Sequence, residues 1–356
     1  MPQVKILSVV EQVAAHLRER LAREHWTGTM PGVLHLEVEL GINRKTLEAA
    51  LRQLEHEGLL AGQGPGRKRL IVRNRGRAAM RPMRVAILLG EASDRKQDYV
   101  VELQHALLEA GHAAFYPAKS LLDLQMEVKH VARFVGKTPA DAWIVLGGSR
   151  GILEWFSTGP KPAFALFGHR AGLPIAATGP NKVPAIAAAT RQLMALGHRR
   201  IALLCRKRRR LPKPGASERA FLDELAAHGL ATGAFNLPDW EETIEGFHEL
   251  LGLLFRVTPP TALIVDEAPQ FVATLQFLAR RGIPVPEKVS LICTDPDPAF
   301  AWCKPTIAHI RWDSGSLVRR IVRWAAHVSH GRADVRQTFV PAEFVAGGTI
   351  GPVPGG

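Results

Sequence analysis

Two cationic segments near the N-terminus carry side chains of the kind that contact nucleic acid. Guanidinium, ammonium, hydroxyl and amide groups donate hydrogen bonds to phosphate oxygens and to the edges of bases. The alternative is a small helical module for dimerisation or docking, with its charged turn facing water. The residues that we predict to contact DNA are Asn43, Arg44, Lys45, Thr46, Arg52, Arg67, Lys68 and Arg69.

A second set of polar side chains follows apolar segments further along the chain. Asp266 and Glu267 come directly after residues 262–265, and Asp295 follows residues 289–293. A carboxylate accepts hydrogen bonds from adjacent hydroxyl groups, which suits it to bind a sugar. For Asp295, the alternative is a cap on the turn that the sequence Asp-Pro-Asp-Pro forms.

Other side chains are weaker candidates for the same ligand. Trp302 has a ring that could stack on the apolar face of a sugar, and the alternative is a core or hinge tryptophan. His169 and Arg170 follow an apolar segment and could reach a ligand, or they form a solvated turn. The basic run of residues 206–210 could bind a phosphorylated sugar or another anion. The alternatives for this run are an exposed loop or an additional DNA contact.

The helices of the N-terminal segment must position its cations. Apolar residues recur at three- and four-residue steps over residues 8–24, which predicts a first helix. A short second helix over residues 34–40 should end at Gly41, and Asn43 should cap a third helix that ends at Gly58. A basic hairpin follows. This order predicts that the third helix enters the major groove and that the hairpin reaches the DNA backbone or the minor groove.

Strand-like and helix-like segments alternate over the rest of the chain. The strands are predicted over residues 84–89, 112–115, 142–146, 163–166, 201–204, 262–265 and 289–293. The helices are predicted over residues 99–110, 122–135, 217–228, 242–255, 269–281 and 314–330, with another between Pro184 and Ile201. Repeated units of this kind predict an α/β fold with two parallel sheets, each in one lobe of a two-lobed Rossmann-like domain. We predict a winged helix-turn-helix domain over residues 1–75, a linker over 76–82 and the two-lobed domain over 83–356. Ligands bind beyond the carboxyl ends of parallel strands. The loops predicted to form the pocket follow Leu89, Leu146, Leu166, Leu204, Val265 and Cys293.

The charge of the chain favours a polyanionic partner. The formal net charge is +13, and residues 1–82 hold 14 Lys and Arg against 8 Glu and no Asp. Cations near phosphates release condensed counterions, so the N-terminal part is the expected DNA-binding region. The three cysteines are few, odd in number and not spaced as a C-x-x-C pair, so we predict neither a disulfide framework nor a zinc site. We expect a cytoplasmic protein, because we find no signal peptide and no apolar run of membrane-spanning length.

The N-terminal segment resembles the GntR family of winged-helix regulators. The resemblance lies in the stretch INRKTLEAALRQLEHEGLLAGQGPG of residues 42–66. It implies that Arg44, Lys45 and Thr46 read bases or phosphates, that Asn43 occupies the helix-capping position, and that Arg67 follows the wing glycines. The chain departs from the family at Val33-Leu34, where an acidic-basic pair is usual, and at Glu48, where arginine is usual.

The C-terminal part resembles the effector domain of the LacI/GalR family, which is similar to periplasmic sugar-binding proteins. The stretches that carry this resemblance are ALGHRRIALL (195–204), residues 260–300 and VPAEFVAGGTIGP (340–352). The resemblance implies that Asp295 binds sugar hydroxyls and that Arg219 clamps the ring oxygens. It assigns a ligand-binding role to Asp266 and Glu267 less directly, because the Asn-Asp pair of the family is shifted by about one residue relative to them.

Enzymatic function is not expected. The sequence has no nucleophile elbow, phosphate-binding loop, zinc-protease motif or dinucleotide fingerprint, and we predict neither a cofactor nor a metal. We expect a homodimeric transcription regulator that binds a double-stranded operator and a small effector, a monosaccharide in the first instance. Repression relieved by the ligand is the hypothesis, and activation is the alternative. A sugar-binding protein without a regulatory role, and a regulator that answers a phosphorylated or non-sugar metabolite, are the other readings.

Overall fold

The chain folds as two compact units, residues 1–80 and 81–356. A computed structural model describes residues 9–22, 25–26, 28–64, 67–72, 81–210 and 213–353. Residues 65 and 66 and residues 73–80, which include most of the linker predicted over 76–82, lie outside the described residues.

The first unit is a three-helix cluster with a two-stranded hairpin. Its elements are α1 (Val9–Ala22), α2 (Val33–Leu40), α3 (Arg44–His56), β1 (Leu60–Ala61) and β2 (Leu70–Ile71). The strands pair antiparallel, with Leu60 opposite Ile71. Leu17, Leu36 and Leu47 are fully buried where the helices meet. Each such side chain contributes about 1.5–3 kcal/mol through burial, which holds α3 on the other helices.

The predicted helix boundaries of this unit are confirmed by cap geometry. Gly41 ends α2 with φ +65°, a left-handed conformation that favours glycine. Asn43 caps α3, because its side-chain oxygen accepts a hydrogen bond from the Thr46 backbone N–H at 2.9 Å. Gly58 has φ +73° directly after the last turn of α3.

The first lobe of the second unit is a parallel five-stranded sheet. The strand order is β4-β3-β5-β6-β7. The strands are β3 (Arg84–Leu88), β4 (Ala113–Phe115), β5 (Ala142–Leu146), β6 (Ala163–Leu166) and β7 (Ala176–Thr178). The helices are α4 (Asp98–Glu109), α5 (Val128–Lys137) and α6 (Arg150–Thr158).

The second lobe is a six-stranded sheet in the order β8-β13-β12-β11-β10-β9. Strand β13 runs antiparallel to β12, and β9, β10, β11 and β12 are parallel. The strands are β8 (Pro180–Asn181), β9 (Ile201–Leu204), β10 (Ala262–Val265), β11 (Ser290–Cys293), β12 (Ala308–Trp312) and β13 (Val340–Val345). The helices of this lobe are α7 (Val183–Ala195), α8 (Ala216–Ala227), α9 (Ile244–Val257) and α10 (Ala268–Arg280).

The chain crosses between the lobes three times. It leaves the first lobe after β7, returns after β12 as helix α11 (Ser314–Ser329), and crosses again before β13. Helix α11 belongs to the first lobe, because Trp324 packs in one cluster with Val85 and Phe164. The two-lobed α/β fold predicted from the alternating segments is therefore confirmed.

Four of the numbered strands and helices were not predicted, namely β7, the two-residue β8, β12 and α6, and one helix was predicted to begin too early. Strand β12 reads AHIRW, so its polar residues interrupt the apolar run that predicts a buried strand. Strand β7 has three residues, and α6 follows a glycine-containing loop. The helix predicted over residues 122–135 begins at Val128, because residues 121–126 form turns in which Gln125 and Met126 have positive φ.

None of the helices in the described part of the chain is both long enough and apolar enough to span a bilayer.

Candidate DNA-binding surface and effector cleft

Helix α3 presents a cationic N-terminal turn to solvent. Leu47, Leu51 and Leu54 are buried on one face, so Lys45 and Arg52 point away from the core and are exposed. Arg44 is also exposed, but its Nε donates to Glu48 Oε1 at 3.0 Å. This contact raises the pKa of Arg44 through the hydrogen bond and the charge of Glu48. The first turn of the helix keeps free backbone N–H groups and a positive dipole end, both of which favour phosphate.

The three cations of the hairpin differ in exposure and in their contacts. Arg67 and Lys68 are exposed beyond the turn at Gly64. Arg69 instead lies half-buried, and its Nε donates to Glu55 Oε1 at 2.7 Å. The Arg69 carbonyl accepts from the Met30 N–H at 2.8 Å. Arg69 therefore ties the wing to α3, so its guanidinium is less available to DNA than those of Arg67 and Lys68, and its role as a DNA contact stays a prediction.

The carboxyl ends of the strands in the second lobe carry a first group of polar side chains of the cleft. Lys182, next to the first crossing between the lobes, donates from Nζ to Asp295 Oδ1 at 2.6 Å and lies 3.7 Å from Asp266 Oδ1. Thr294 Oγ1 donates to Asp266. These side chains are mostly buried, so the attraction between their charges is less screened than at the surface.

An aromatic cluster lies beside this polar group. The rings of Tyr99, Phe167 and Trp312 meet edge to face, with centroids 5.8–6.1 Å apart. Trp312 stands at the second crossing, and its Nε1 donates to Asp295 Oδ1 at 3.3 Å. Asp295 is thus held by groups from two of the crossings. The cluster combines apolar faces with a carboxylate, which is how proteins bind sugars.

A second ion cluster surrounds Arg206, which follows β9. Its guanidinium donates to Glu267 at 3.0–3.2 Å and to Glu91 Oε1 of the first lobe at 3.1 Å, and lies 3.8 Å from Glu242. The nearby Asp94 accepts from the Glu91 N–H at 2.9 Å. Burial, followed by the charges of Glu91 and Glu267, raises the pKa of Asp94.

Two residues of the cleft have unusual backbone conformations. Phe167 directly follows β6 and has φ +62°, and Glu267 precedes α10 with φ +67°. A side chain in the left-handed region costs about 1 kcal/mol or more, so surrounding contacts must hold it there. Such conformations cluster at functional sites.

The predicted ligand residues are divided between the cleft and other places. Asp295, Asp266 and Glu267 lie together at the strand ends. The cap on the turn after Asp295 comes from Asp297, whose Oδ1 accepts from the Ala299 N–H at 2.8 Å. The alternative predicted for Asp295 was a cap on this turn, and in the structure Asp297 makes that cap instead.

The remaining predicted ligand residues differ in their exposure and contacts. Trp302 is 90 % exposed, because the short helix Pro298–Trp302 turns Phe300 inward instead. Arg219 is exposed on α8 and donates to the Pro214 carbonyl. Arg170 is buried against the ring of Phe339, and burial lowers its pKa. His169 is half-buried, with its N–H bonded to the Gly148 carbonyl.

Three cations of the basic run of residues 206–210 pair with acids of the chain in the described structure. Arg206 pairs with Glu267 and Glu91 in the cleft. Lys207 pairs with Asp239 at 2.9 Å, and Arg210 pairs with Asp239 at 2.7 Å while donating to the Leu237 and Pro238 carbonyls. The side chains of residues 208 and 209 lie outside the described part. These contacts fix the segment before α9 over the end of β9.

Several cleft residues escaped sequence reasoning. Glu91 lies in the loop after Leu89, which the strand-end rule did select as a pocket loop. Lys182 and Trp312 stand at crossings between lobes, and no local pattern marks such positions. Tyr99 begins a helix, and Glu242 precedes α9 without a strand before it.

The family models match both units. Residues 9–64 match the model described as bacterial regulatory proteins, gntR family. Residues 9–64 are a GntR-family domain. Residues 190–350 match the periplasmic binding protein-like domain. This regulator therefore joins a GntR-type DNA-binding domain to a periplasmic-binding-protein-like domain.

Solved structures share the fold of the regulator at low sequence identity. The Lac repressor dimer bound to operator and the anti-inducer ONPF is 15 % identical, with a TM-score of 0.63 over 77 % of this chain and 96 % of its own. A LacI family regulator from Enterococcus faecium with bound ribose is 15 % identical, with a TM-score of 0.61 over 76 % of this chain and 99 % of its own. The CelR–cellobiose complex is 16 % identical, with a TM-score of 0.62 over 90 % of this chain and 100 % of its own. No curated protein sequence matches the regulator.

Proposed function

We propose that the regulator controls transcription by binding an operator as a homodimer, and that a small sugar bound in the cleft changes its affinity for DNA. The observation that supports this proposal most directly is the group of Asp295, Lys182 and Trp312 at the strand ends between the lobes. A carboxylate, an ammonium and an indole side by side offer an acceptor, a donor and an apolar face to one sugar ring.

The DNA-binding half of the proposal rests on the exposed cations of the first unit. Lys45 and Arg52 on α3 and Arg67 and Lys68 on the hairpin present positive charge without covering the buried face of the helix. A recognition helix places its first turn against base edges, and a wing contacts the neighbouring backbone. We place the regulator in the cytoplasm, because its proposed partner is chromosomal DNA.

Two features of the solved structures support the sugar and the dimer. The E. faecium regulator is described with ribose and CelR with cellobiose, and the Lac repressor is described as a dimer on its operator. Two heads related by a two-fold axis fit a near-palindromic operator. We propose repression, because one of these structures is described as a repressor on its operator, and we propose that the ligand relieves it.

An anionic effector is the second candidate, because residues 206–210 hold five cations in a row. The pairing of Arg206, Lys207 and Arg210 with carboxylates argues against it. A neutral sugar is therefore the effector class that the described contacts favour.

The experiment is a thermal-shift screen of the full chain against neutral sugars, uronates and sugar phosphates, followed by titration of any hit. A ligand at 100 times its Kd stabilises the protein by about 2.7 kcal/mol. We expect Asp295→Asn to weaken the response to the hit at least about tenfold, because a carboxylate acceptor is lost. Asp297→Asn is the matched control, since Asp297 caps the neighbouring turn. An equal response from both variants would move the site elsewhere.

A further inference from the structure

One side chain of the second lobe reaches across the cleft to the first. The Arg206 guanidinium contacts Glu267 and Glu242 in its own lobe and Glu91 in the other, the last at 3.1 Å. All four side chains are 12–23 % exposed. The ion pair between the lobes is therefore partly buried, and water and salt screen it less than a surface pair.

Both ends of this contact are held in place by their own lobes. Glu267 grips Arg206 through both carboxylate oxygens, and it also accepts from Gln270 Nε2 at 3.0 Å. On the other side, the Glu91 N–H donates to Asp94, and Ser93 Oγ donates to Glu91 Oε1 at 2.9 Å. The guanidinium and its distant acceptor are thus oriented before they meet, which reduces the entropy lost on pairing.

Separation of the lobes would break the contact at one place. Arg206 would keep Glu267 and Glu242 as partners, since all three belong to the second lobe. Glu91 would lose the guanidinium and keep the short helix Ala92–Lys96 that positions it. Separation therefore breaks the charge-assisted hydrogen bond between Arg206 and Glu91, while each lobe stays intact.

We propose that Arg206 is a latch that closes the two lobes on each other in the absence of effector. The cleft is then shut by a side chain of the protein itself. An effector enters by breaking the contact between Arg206 and Glu91 and closes the lobes through its own contacts instead. This inference adds a device for regulation to the proposed function, and it concerns the state without ligand.

The test measures the distance between the lobes in the full chain without added ligand. Spin labels are attached to cysteines that replace Lys96 in the first lobe and Glu249 in the second, both exposed. Cys303→Ser removes the half-buried native thiol, while Cys205 and Cys293 are buried. Pulsed electron paramagnetic resonance then gives the distance distribution between the labels.

We expect Glu91→Gln to raise the ratio of open to closed molecules about tenfold, because a charge-assisted bond is replaced by a weaker neutral one. Glu242→Gln is the matched control. It removes a carboxylate near Arg206 within the same lobe, so the distances should stay as in the parent protein. Circular dichroism of each variant checks that the fold is kept.

Unchanged distances in Glu91→Gln would overturn the latch. Equal opening in Glu91→Gln and Glu242→Gln would also overturn it, because the effect would then come from the summed charge of the cleft. The outcome is independent of which effector binds, so failure of the latch would leave the proposed function standing.

Discussion

The cations of the two units differ in how they are paired. In the first unit, Lys45, Arg52, Arg67 and Lys68 are exposed, and none of them takes part in an ion pair within the described residues. In the second unit, Arg206 and Arg320 are turned inward onto carboxylates. The sequence shows basic clusters in both units. The acids that face each cluster, and not the cations themselves, decide whether charge is left over for a nucleic acid.

Arg320 shows the most complete pairing. Its guanidinium donates to both oxygens of Asp334 at 3.0–3.2 Å and to the Arg336 carbonyl, and it lies over the ring of Phe164. Asp334 also accepts from Arg336 and is 3.0 Å from His327 Nδ1. This network joins α11 to the segment that leads to the third crossing.

The largest expected effect follows from removal of the paired acid. Asp334→Ala leaves the buried Arg320 charge without its carboxylate, so the second unit should lose about 3–5 kcal/mol of stability. Asp313→Ala is the control, because Asp313 caps α11 at the surface and its loss should cost about 1 kcal/mol. Urea unfolding followed by tryptophan fluorescence measures both. Similar losses in the two variants would contradict the assigned role of the buried network.

The Asp334 carboxylate should also make the second unit sensitive to acid. Protonation of Asp334 should cost less stability than the Asp334→Ala substitution does. Burial raises the pKa of Asp334, but hydrogen bonds from Arg336 and His327 and the charge of Arg320 outweigh this and hold the pKa well below its usual range. A depressed pKa stabilises the fold above the unfolded value of about 3.9, and this stability is lost as the pH falls further. Thermal unfolding of the parent should therefore shift more steeply below about pH 4 than that of Asp334→Asn. Parallel pH profiles would count against the pairing.

The exposed cations at the start of α3 should matter for DNA and not for stability. Arg44→Ala combined with Lys45→Ala should lower specific affinity at least about a hundredfold, since each base contact is worth about 1–3 kcal/mol. Fluorescence anisotropy on the regulator's own upstream DNA gives the affinity. Lys207→Ala, which removes a cation already paired with Asp239, should leave the affinity unchanged. If Lys207→Ala weakened DNA binding as much, the division between the two units would fail.

The smallest effects come from two arginines of one hairpin. Arg67→Ala should weaken DNA binding by about 1 kcal/mol and reduce the salt dependence by about one phosphate contact, with no change in stability. Arg69→Ala should lower the stability of the first unit and leave DNA binding unchanged, because Arg69 is paired with Glu55 and lies half-buried. Anisotropy at several salt concentrations and thermal unfolding separate the two. The same profile for both variants would remove the distinction.

Most of the fold could be predicted because its signals are local. The left-handed Gly41, the cap at Asn43 and the buried stripe of α3 depend on residues within a few positions of one another. Strand β12 could not be found, since His309 and Arg311 break its apolar pattern and its pairing with β13 lies more than thirty residues away.

The cleft was predicted in part. The strand-end rule located Asp266, Glu267 and Asp295, because topology fixes which edge of a sheet they share. Their partners could not be predicted, since Lys182 meets Asp295 only after the chain has crossed between lobes, at a separation of 113 residues. Two tryptophans also show that contacts between distant residues could not be predicted from the sequence. Trp302 was selected for its position after the turn, and Trp312 is the one whose indole reaches Asp295.

The most direct measurement of the central claim is the affinity of the full chain for its own upstream DNA, with and without the sugar that stabilises it in the thermal-shift screen. Binding in two sites must be coupled, typically by about 1–3 kcal/mol. We predict specific binding that weakens about 5- to 150-fold when the sugar is present, and that needs at least about ten times more sugar to respond in Asp295→Asn. Affinity equal to that for random DNA, or specific affinity that the sugar leaves unchanged, would contradict the account.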